Sequence, residues 1–250
     1  MKAILRGVIR RLGYHVEGIR YTPRQLLDAS RLRRLEFDDV ICRRMVEHGP
    51  ACSFVQIGAY DGVSTDPLHK YIGRFGWRGV MLEPQPGPAA RLRELYEGNP
   101  GIAVIEAALD AQPGLRSLFT VESDELPRWA GGMASFERSH IEKHEHLIPG
   151  VSSKIRELEV QCVTFEEVLS HFPTGPLDLL QIDAEGADGY LLSLFPFDRL
   201  KPVIIHWEIK NLTRSQQEDA LELMGRHGYL IARSGAEDML AVARDEPAAG

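Results

Sequence analysis

The sequence predicts an α/β protein: a mostly parallel sheet covered by helices on both faces and closed by an antiparallel hairpin. Short apolar runs at about 53–57, 79–82 and 102–106 alternate with helix-like stretches, the βαβαβ rhythm that builds a parallel sheet. The first run, Phe54-Val55-Gln56-Ile57, stops at Gly58-Ala59-Tyr60-Asp61-Gly62, where small and turn-forming residues end a buried strand in a tight loop. Near the other end of the chain, the runs 229–232 and 239–242 are close enough for a hairpin.

The 250 residues suffice for one substantial core with an appendage. A formal net charge of -7 argues against a general nucleic-acid binder. The charge is uneven: residues 1–44 hold 11 Lys/Arg against 5 Asp/Glu, a net of +6, which leaves -13 for the rest. Cys42, Cys52 and Cys162 form no C-x-x-C pair and leave an odd thiol, as suits a reducing compartment. No apolar run reaches the roughly 20 residues of a membrane-spanning helix. Arg10 and Arg11 interrupt any signal-like region, so a cytoplasmic protein is expected.

Residues 1–50 read as a helical N-terminal extension, and 51–250 as the main domain. Ile4, Leu5, Val8, Ile9 and Leu12 recur at helical spacing, with arginines elsewhere on the cylinder. Such a helix packs on its own domain or on a second subunit of a homodimer. The rival reading, contact with an anionic membrane surface, lacks a Trp or Phe anchor. Pro23 opens a helix at about 24–34, and a further helix from Asp38 to His48 stops at Gly49-Pro50.

In the main domain, strand one is followed by a helix opened by Asp66-Pro67 and carried by Leu68, Tyr71 and Ile72. Strand two ends at Glu83-Pro84, and Pro86 and Pro88 bracket the entry to a helix at 88–97. Asn99-Pro100-Gly101 turns the chain into strand three. The rhythm then breaks in an insertion at about 115–160: 115–121 and 158–164 read as β, with irregular or helical chain between them. Its Gly131-Gly132-Met133-Ala134-Ser135-Phe136 stretch suits a mobile cover or substrate wall; the competing reading is a surface excursion. After a helix at 165–171, strand four ends at Asp183-Ala184-Glu185-Gly186. A helix at about 187–195, strand five at 203–208 and a polar helix at 214–227 lead to the hairpin.

Ligands of open parallel sheets bind beyond the carboxyl ends of the strands. Those ends carry 58–62, Glu83, Glu106-Ala107, 183–186 and Glu208. Glu83 stands about 20 residues past the glycines at the next strand tip, where a carboxylate suits the two hydroxyls of a ribose, so a nucleoside-containing cofactor is expected. The loop lacks G-x-G-x-x-G spacing, because Tyr60 occupies the place of the middle glycine, and this speaks against a nicotinamide enzyme. Carboxylates that end core strands are costly to desolvate, which favours a role for Glu83, Asp183 and Glu208.

Four motifs stand in order at these ends: 55–62, Val80-Met81-Leu82-Glu83-Pro84, 179–188 and Ile205-His206-Trp207-Glu208. Together they resemble the FkbM family of S-adenosylmethionine-dependent methyltransferases, over about 51–243. The resemblance implies a Rossmann-like class I methyltransferase sheet of seven mostly parallel strands with the last antiparallel. It implies cofactor contacts from Gln56, Gly58, Tyr60, Asp61, Gly62, Glu83, Pro84, Ala107, Ala108 and Asp183, with Glu83 on the ribose and Ala107 and Ala108 near the adenine. Many methyltransferases carry an acid where this chain has Gln56, so one contact is expected through an amide. The implied reaction is O-methylation of a small hydroxylated acceptor such as a sugar or macrolide; larger glycan or lipid-linked acceptors, N-methylation and a non-catalytic module are the alternatives.

A neutral alcohol needs a base, a metal or both. In similar metal-dependent sugar methyltransferases the first acid of such a loop holds Mg²⁺ and a neighbour acts as base. Asp183 as ligand with Glu208 beside it, and Glu185 as base, is the expectation; hard carboxylate oxygens suit Mg²⁺. The rival reading makes Asp183 a helix cap and pairs Glu185 with a surface arginine. His206 reads as a base, a substrate contact or a hydrogen-bonded core histidine. His140, His144 and His146 invite a zinc site, but no motif completes it, and a solvated helix is preferred. Trp129 and Phe136 line an acceptor pocket or belong to a minor core.

Overall fold

The structure, a computed structural model, describes residues 35–121, 128–173 and 175–243. The helices expected at 1–12 and 24–34 lie outside these residues. In chain order the described elements are α1 (Phe37–His48), β1 (Ser53–Ile57), α2 (His69–Phe75), β2 (Arg78–Leu82), α3 (Pro86–Leu95), β3 (Ile102–Ile105), β4 (Ala108–Leu109) and β5 (Gly114–Val121). There follow β6 (Ala134–Ser135), α4 (Arg138–Glu142), α5 (Val151–Lys154), β7 (Ile155–Val163), α6 (Phe165–Ser170), β8 (Leu179–Ile182) and α7 (Asp188–Leu194). β9 (Ile204–Glu208), α8 (Arg214–Arg226), β10 (Tyr229–Ser234) and β11 (Asp238–Ala243) are the last of the described strands and α-helices.

Seven strands form one sheet in the order β10-β11-β9-β8-β1-β2-β3. Pairing is parallel from β3 to β9, and β11 runs antiparallel to both β9 and β10. The chain lays down β1, β2 and β3 outward in one direction, then returns to place β8 on the other side of β1. This reversal opens a crevice at the carboxyl ends of β1 and β8, the place where such sheets take ligands. The expected sheet is therefore present, antiparallel closing strand included.

Alternation along the strands divides the core into two layers. Val55, Ile57, Leu180, Ile182, Ile205 and Trp207 pack against α6, α7 and α8. Phe54, Met81, Leu179, Ile204 and Leu240 face the other way, against Phe37 and Ile41 of α1 and Tyr71 and Ile72 of α2. Gln56, Gln181 and His206 stand in register across this second face. Arg44 ties α1 to the domain through Asp178, at 2.6 Å, and through the carbonyls of Gly49 and Ala51. α3 begins at Pro86, two residues before the expected start, because the fixed φ of proline suits a first helical turn.

The insertion builds a second sheet of order β4-β7-β5-β6. β5 and β7 pair antiparallel from Gly114↔Cys162 to Val121↔Ile155. Around it, Met133, Ile141, Ile148 and Val151 form a satellite core with Val121. Among the described residues no helix is long and apolar enough to cross a membrane.

Candidate functional site

A cavity of about 1100 Å³ opens at the carboxyl ends of β1, β2 and β8, with the second sheet as its far wall. Its lining includes 58–60, 83–85 and 183–187 from the main sheet, 107–109 from the chain that leads into and forms β4 of the second sheet, and Arg116, Ser135, Phe136, Glu137 and His140 from the insertion. The volume lies just above the range of ordinary small-ligand pockets.

The glycine loop is shaped by close approach. The N–H groups of Gly58 and Ala59 both donate to the Leu82 carbonyl, at 3.0 and 2.9 Å. Gly58 has φ +78° and faces the β8 loop, where an added Cβ would lie 1.8 Å from the Asp183 carbonyl oxygen. Tyr60 takes the left-handed conformation, φ +48°, and its N–H donates to Glu83 Oε2 at 2.8 Å. Asp61 and Gly62 do not line the cavity. The Asp61 carboxylate accepts from the N–H groups of Val63 and Ser64, and Gly62 backs onto Leu92 and Leu95 of α3. They form the loop from behind.

Glu83 is 3% exposed. Its Oε1 accepts from Gln85 N–H at 2.9 Å, so each carboxylate oxygen is anchored by a backbone amide and keeps acceptor capacity beyond it. Burial pushes its carboxyl up to about 7, against the two amides, which favour the charged form.

Across the crevice, the β8 loop presents two acids. Asp183 is exposed and lines the cavity. Burial moves its carboxyl upward, against the Lys210 charge, which favours the ionised form. Glu185 adopts φ +48°, a strained conformation for a residue with a side chain. Its Oε2 accepts from Asn211 Nδ2 at 2.9 Å, and the same amide donates to Glu208 Oε2 at 3.0 Å. Burial, and then the Asp183 charge, lift Glu185 to about 7. Glu208 rises to about 9 through burial and then the Asp183, Glu185 and Asp188 charges. Beneath the loop, fully buried Asp188 accepts from the N–H groups of Ala184, Gly186 and Glu208 at 3.2–3.3 Å.

The expected pairing of Asp183 with Glu208 as metal ligands does not find a fitting donor set. Glu208 lies outside the cavity lining, turned to Asn211. Among the described residues no three His, Cys, Asp or Glu side chains are grouped to hold a metal ion. His206 also stands away from the cavity. Its Nδ1 pairs with Gln181 Oε1 at 2.7 Å, its ring lies 4.8 Å from that of Phe37, and burial pulls it down to about 4. Of its three readings, the core histidine matches this position; the covering element, α1, lies outside the four motifs.

Gln56, Pro84, Ala107 and Ala108 line the cavity. Sequence reasoning passed over Asn211, Asp188 as the anchor of the β8 loop, and His140, which reaches the cavity from α4 beside Gly186. The i, i+4 histidine spacing drew attention to His140 for zinc rather than for the cavity. Phe136 lines the cavity, under the Arg116 guanidinium at 4.0 Å. The side chain of Trp129 is outside the described residues.

A family model described as Methyltransferase FkbM domain matches residues 56–231. No curated protein matches the sequence. Among solved structures, methyltransferase FkbM from Methylobacillus flagellatus KT is 13% identical, with 89% of this chain and 48% of that chain covered and a TM-score of 0.48. The chain thus spans about half the length of that protein. The O-methyltransferase from Bacillus cereus in complex with SAH is 14% identical over 97% of this chain and 100% of that one, with a TM-score of 0.40. Aeropyrum pernix fibrillarin in complex with natively bound S-adenosyl-L-methionine is 13% identical over 76% and 66%, with a TM-score of 0.39.

Proposed function

The chain belongs to the methyltransferase FkbM family, and from that premise we propose that it is an S-adenosylmethionine-dependent O-methyltransferase acting on a hydroxyl of a sugar or related natural product. The observation that carries this reading is the cavity at the switch point, where Glu83 is anchored by two backbone amides and faced by a glycine loop pressed against the β8 loop.

When bound, the cofactor supplies an electrophilic methyl group on a sulfonium. The cradle fits a nucleoside: Glu83 is a ready acceptor for ribose hydroxyls, and Ala107 and Ala108 offer small side chains beside a flat base. The acceptor then occupies the remaining space toward Phe136, Glu137 and His140. Glu185 would take the hydroxyl proton as the acceptor oxygen bonds to the methyl carbon and the carbon–sulfur bond breaks, with the neutral thioether as leaving group; a carboxyl near 7 is poised to do so at neutral pH. Asn211 holds it in place. Carboxylates along this wall favour neutral polyhydroxylated acceptors over anionic ones. In this reading Glu185 acts as base without a metal.

Equilibrium titration with S-adenosylhomocysteine tests the reading. Saturable binding that Glu83→Ala weakens at least about tenfold is expected, since the carboxylate holds two hydroxyls. Absence of binding to the wild-type chain would remove the proposal.

A further inference from the structure

The polar floor of the cavity contains a demand that the protein does not meet. Gln56 is 2% exposed, lines the cavity, and donates through Nε2 to Asp66 Oδ1 at 3.2 Å. Asp66 also lines the cavity, and its Oδ1 takes the Leu68 N–H at 2.7 Å in the turn that opens α2. Gln56 Oε1 and Asp66 Oδ2 are both buried with no hydrogen-bond partner. His69 Nδ1 and Tyr96 Oη, whose groups interact electrostatically with Asp66, are likewise unpartnered, and the His69 backbone N–H, although it favours the ionised carboxyl, makes no hydrogen bond to Oδ2. Two acceptor oxygens left without donors in one corner are costly. A carboxylate beside an amide oxygen calls for a donor-only, positively charged group.

The sheet order says which part of a nucleoside cofactor comes here. With the ribose on Glu83 at the tip of β2 and the base toward Ala107 past β3, the remaining arm runs back toward β1 and β8. β1 carries Gln56. Resting on the cofactor reading above, we propose that Asp66 and Gln56 receive the primary ammonium of the cofactor's amino-acid arm, with Asp66 supplying, from the α2 turn, the negative charge that β1 lacks. The broad terminal torsion of an aspartate lets Oδ2 turn to that group while Oδ1 stays on Leu68. The site then selects cofactor forms that carry the amino-acid arm over those truncated at the thioether.

The test titrates the full chain with S-adenosylhomocysteine and with 5′-methylthioadenosine, which keeps base, ribose and sulfur but lacks the amino acid. Wild type is expected to prefer the former. Asp66→Asn should weaken S-adenosylhomocysteine about ten- to hundredfold, the loss of one charge-assisted hydrogen bond, and leave 5′-methylthioadenosine unchanged. The retained nucleoside binding certifies the fold. Should Asp66→Asn fail to fold, Gln56→Met removes the partner acceptor without touching the Asp66 turn and must show the same selective loss. Equal effects on both compounds, or none on either, overturn the assignment while leaving the cofactor reading intact. Failure of wild type to bind both compounds overturns the two together.

Discussion

Gly58 and Asp183 meet backbone to backbone: an added Cβ on Gly58 would lie 1.8 Å from the Asp183 carbonyl oxygen. No rotamer can relieve that overlap, since both partners are main chain. The contact holds the β1 and β8 loops together at the crevice. Gly58→Ala must push the two loops apart in addition to straining a left-handed residue, so S-adenosylhomocysteine affinity should fall more than about tenfold. Gly62→Ala carries a similar left-handed strain, at φ +71°, but meets side chains alone, Leu92 and Leu95 at 2.5 and 3.0 Å and Tyr96 at 3.4 Å, which can shift. Calorimetric titration of both variants should rank Gly58→Ala as the more severe; the reverse order would mean that the loop contact does not organise binding.

Glu83 sets a pH dependence. Its folded value, about 7, lies above its ordinary value, so the folded chain binds more protons than the unfolded chain between about pH 4.5 and 7. Through Glu83 alone, stability therefore falls as pH rises across that window. Ligand affinity moves the other way, because ribose hydroxyls donate to the ionised carboxylate. S-adenosylhomocysteine should bind more tightly at pH 8 than at pH 6, and Glu83→Gln should flatten that difference.

Much of the main sheet was legible because a parallel strand buried on both faces is a short apolar run, and its end shows as an abrupt change to glycine or carboxylate. The second sheet was less so. The first half of β5, Gly114 to Ser117, is exposed on both faces, so alternation gives no signal there, and β7 begins three residues before the expected run. Asn211 stood in an unremarkable loop; only folding brings its amide between Glu185 and Glu208. The strand position of His206 left its three readings open, because it says nothing of α1, which covers that face with Phe37.

Glu185 should separate chemistry from binding. Glu185→Gln keeps the volume and an acceptor for Asn211 while removing the base. With an acceptor in hand, methyl transfer should drop about 10²- to 10⁴-fold with S-adenosylhomocysteine affinity unchanged. A chelator should leave wild-type transfer unaltered if the base acts alone. Loss of transfer on chelation, restored by Mg²⁺, would replace base catalysis alone with metal assistance.

Asp188 holds the β8 loop from beneath, accepting three backbone N–H groups while 0% exposed. Asp188→Ala strands all three donors. A cost of about 3–5 kcal/mol is expected, which lowers the melting midpoint by about 10 °C in a chain of this size. Asp188→Asn keeps one acceptor oxygen and should lose less. Differential scanning calorimetry reads both, and equal midpoints for the two variants would deny Asp188 its anchoring role.

His206 carries the opposite sign from Glu83. Its folded value near 4 lies below the ordinary 6.5, because burial beneath Phe37 disfavours the charged ring and Nε2 finds no partner. Between those values the unfolded chain binds the extra proton, so stability contributed by the neutral ring is lost as pH falls from about 6.5 to 4. His206→Gln removes the titrating group while keeping a polar neighbour for Gln181. Urea midpoints of wild type and variant, compared at pH 7 and pH 5, should show the smaller acid loss in the variant. An unchanged acid loss would place the sensitivity elsewhere, whereas abolished methyl transfer with intact stability would return His206 to the chemistry.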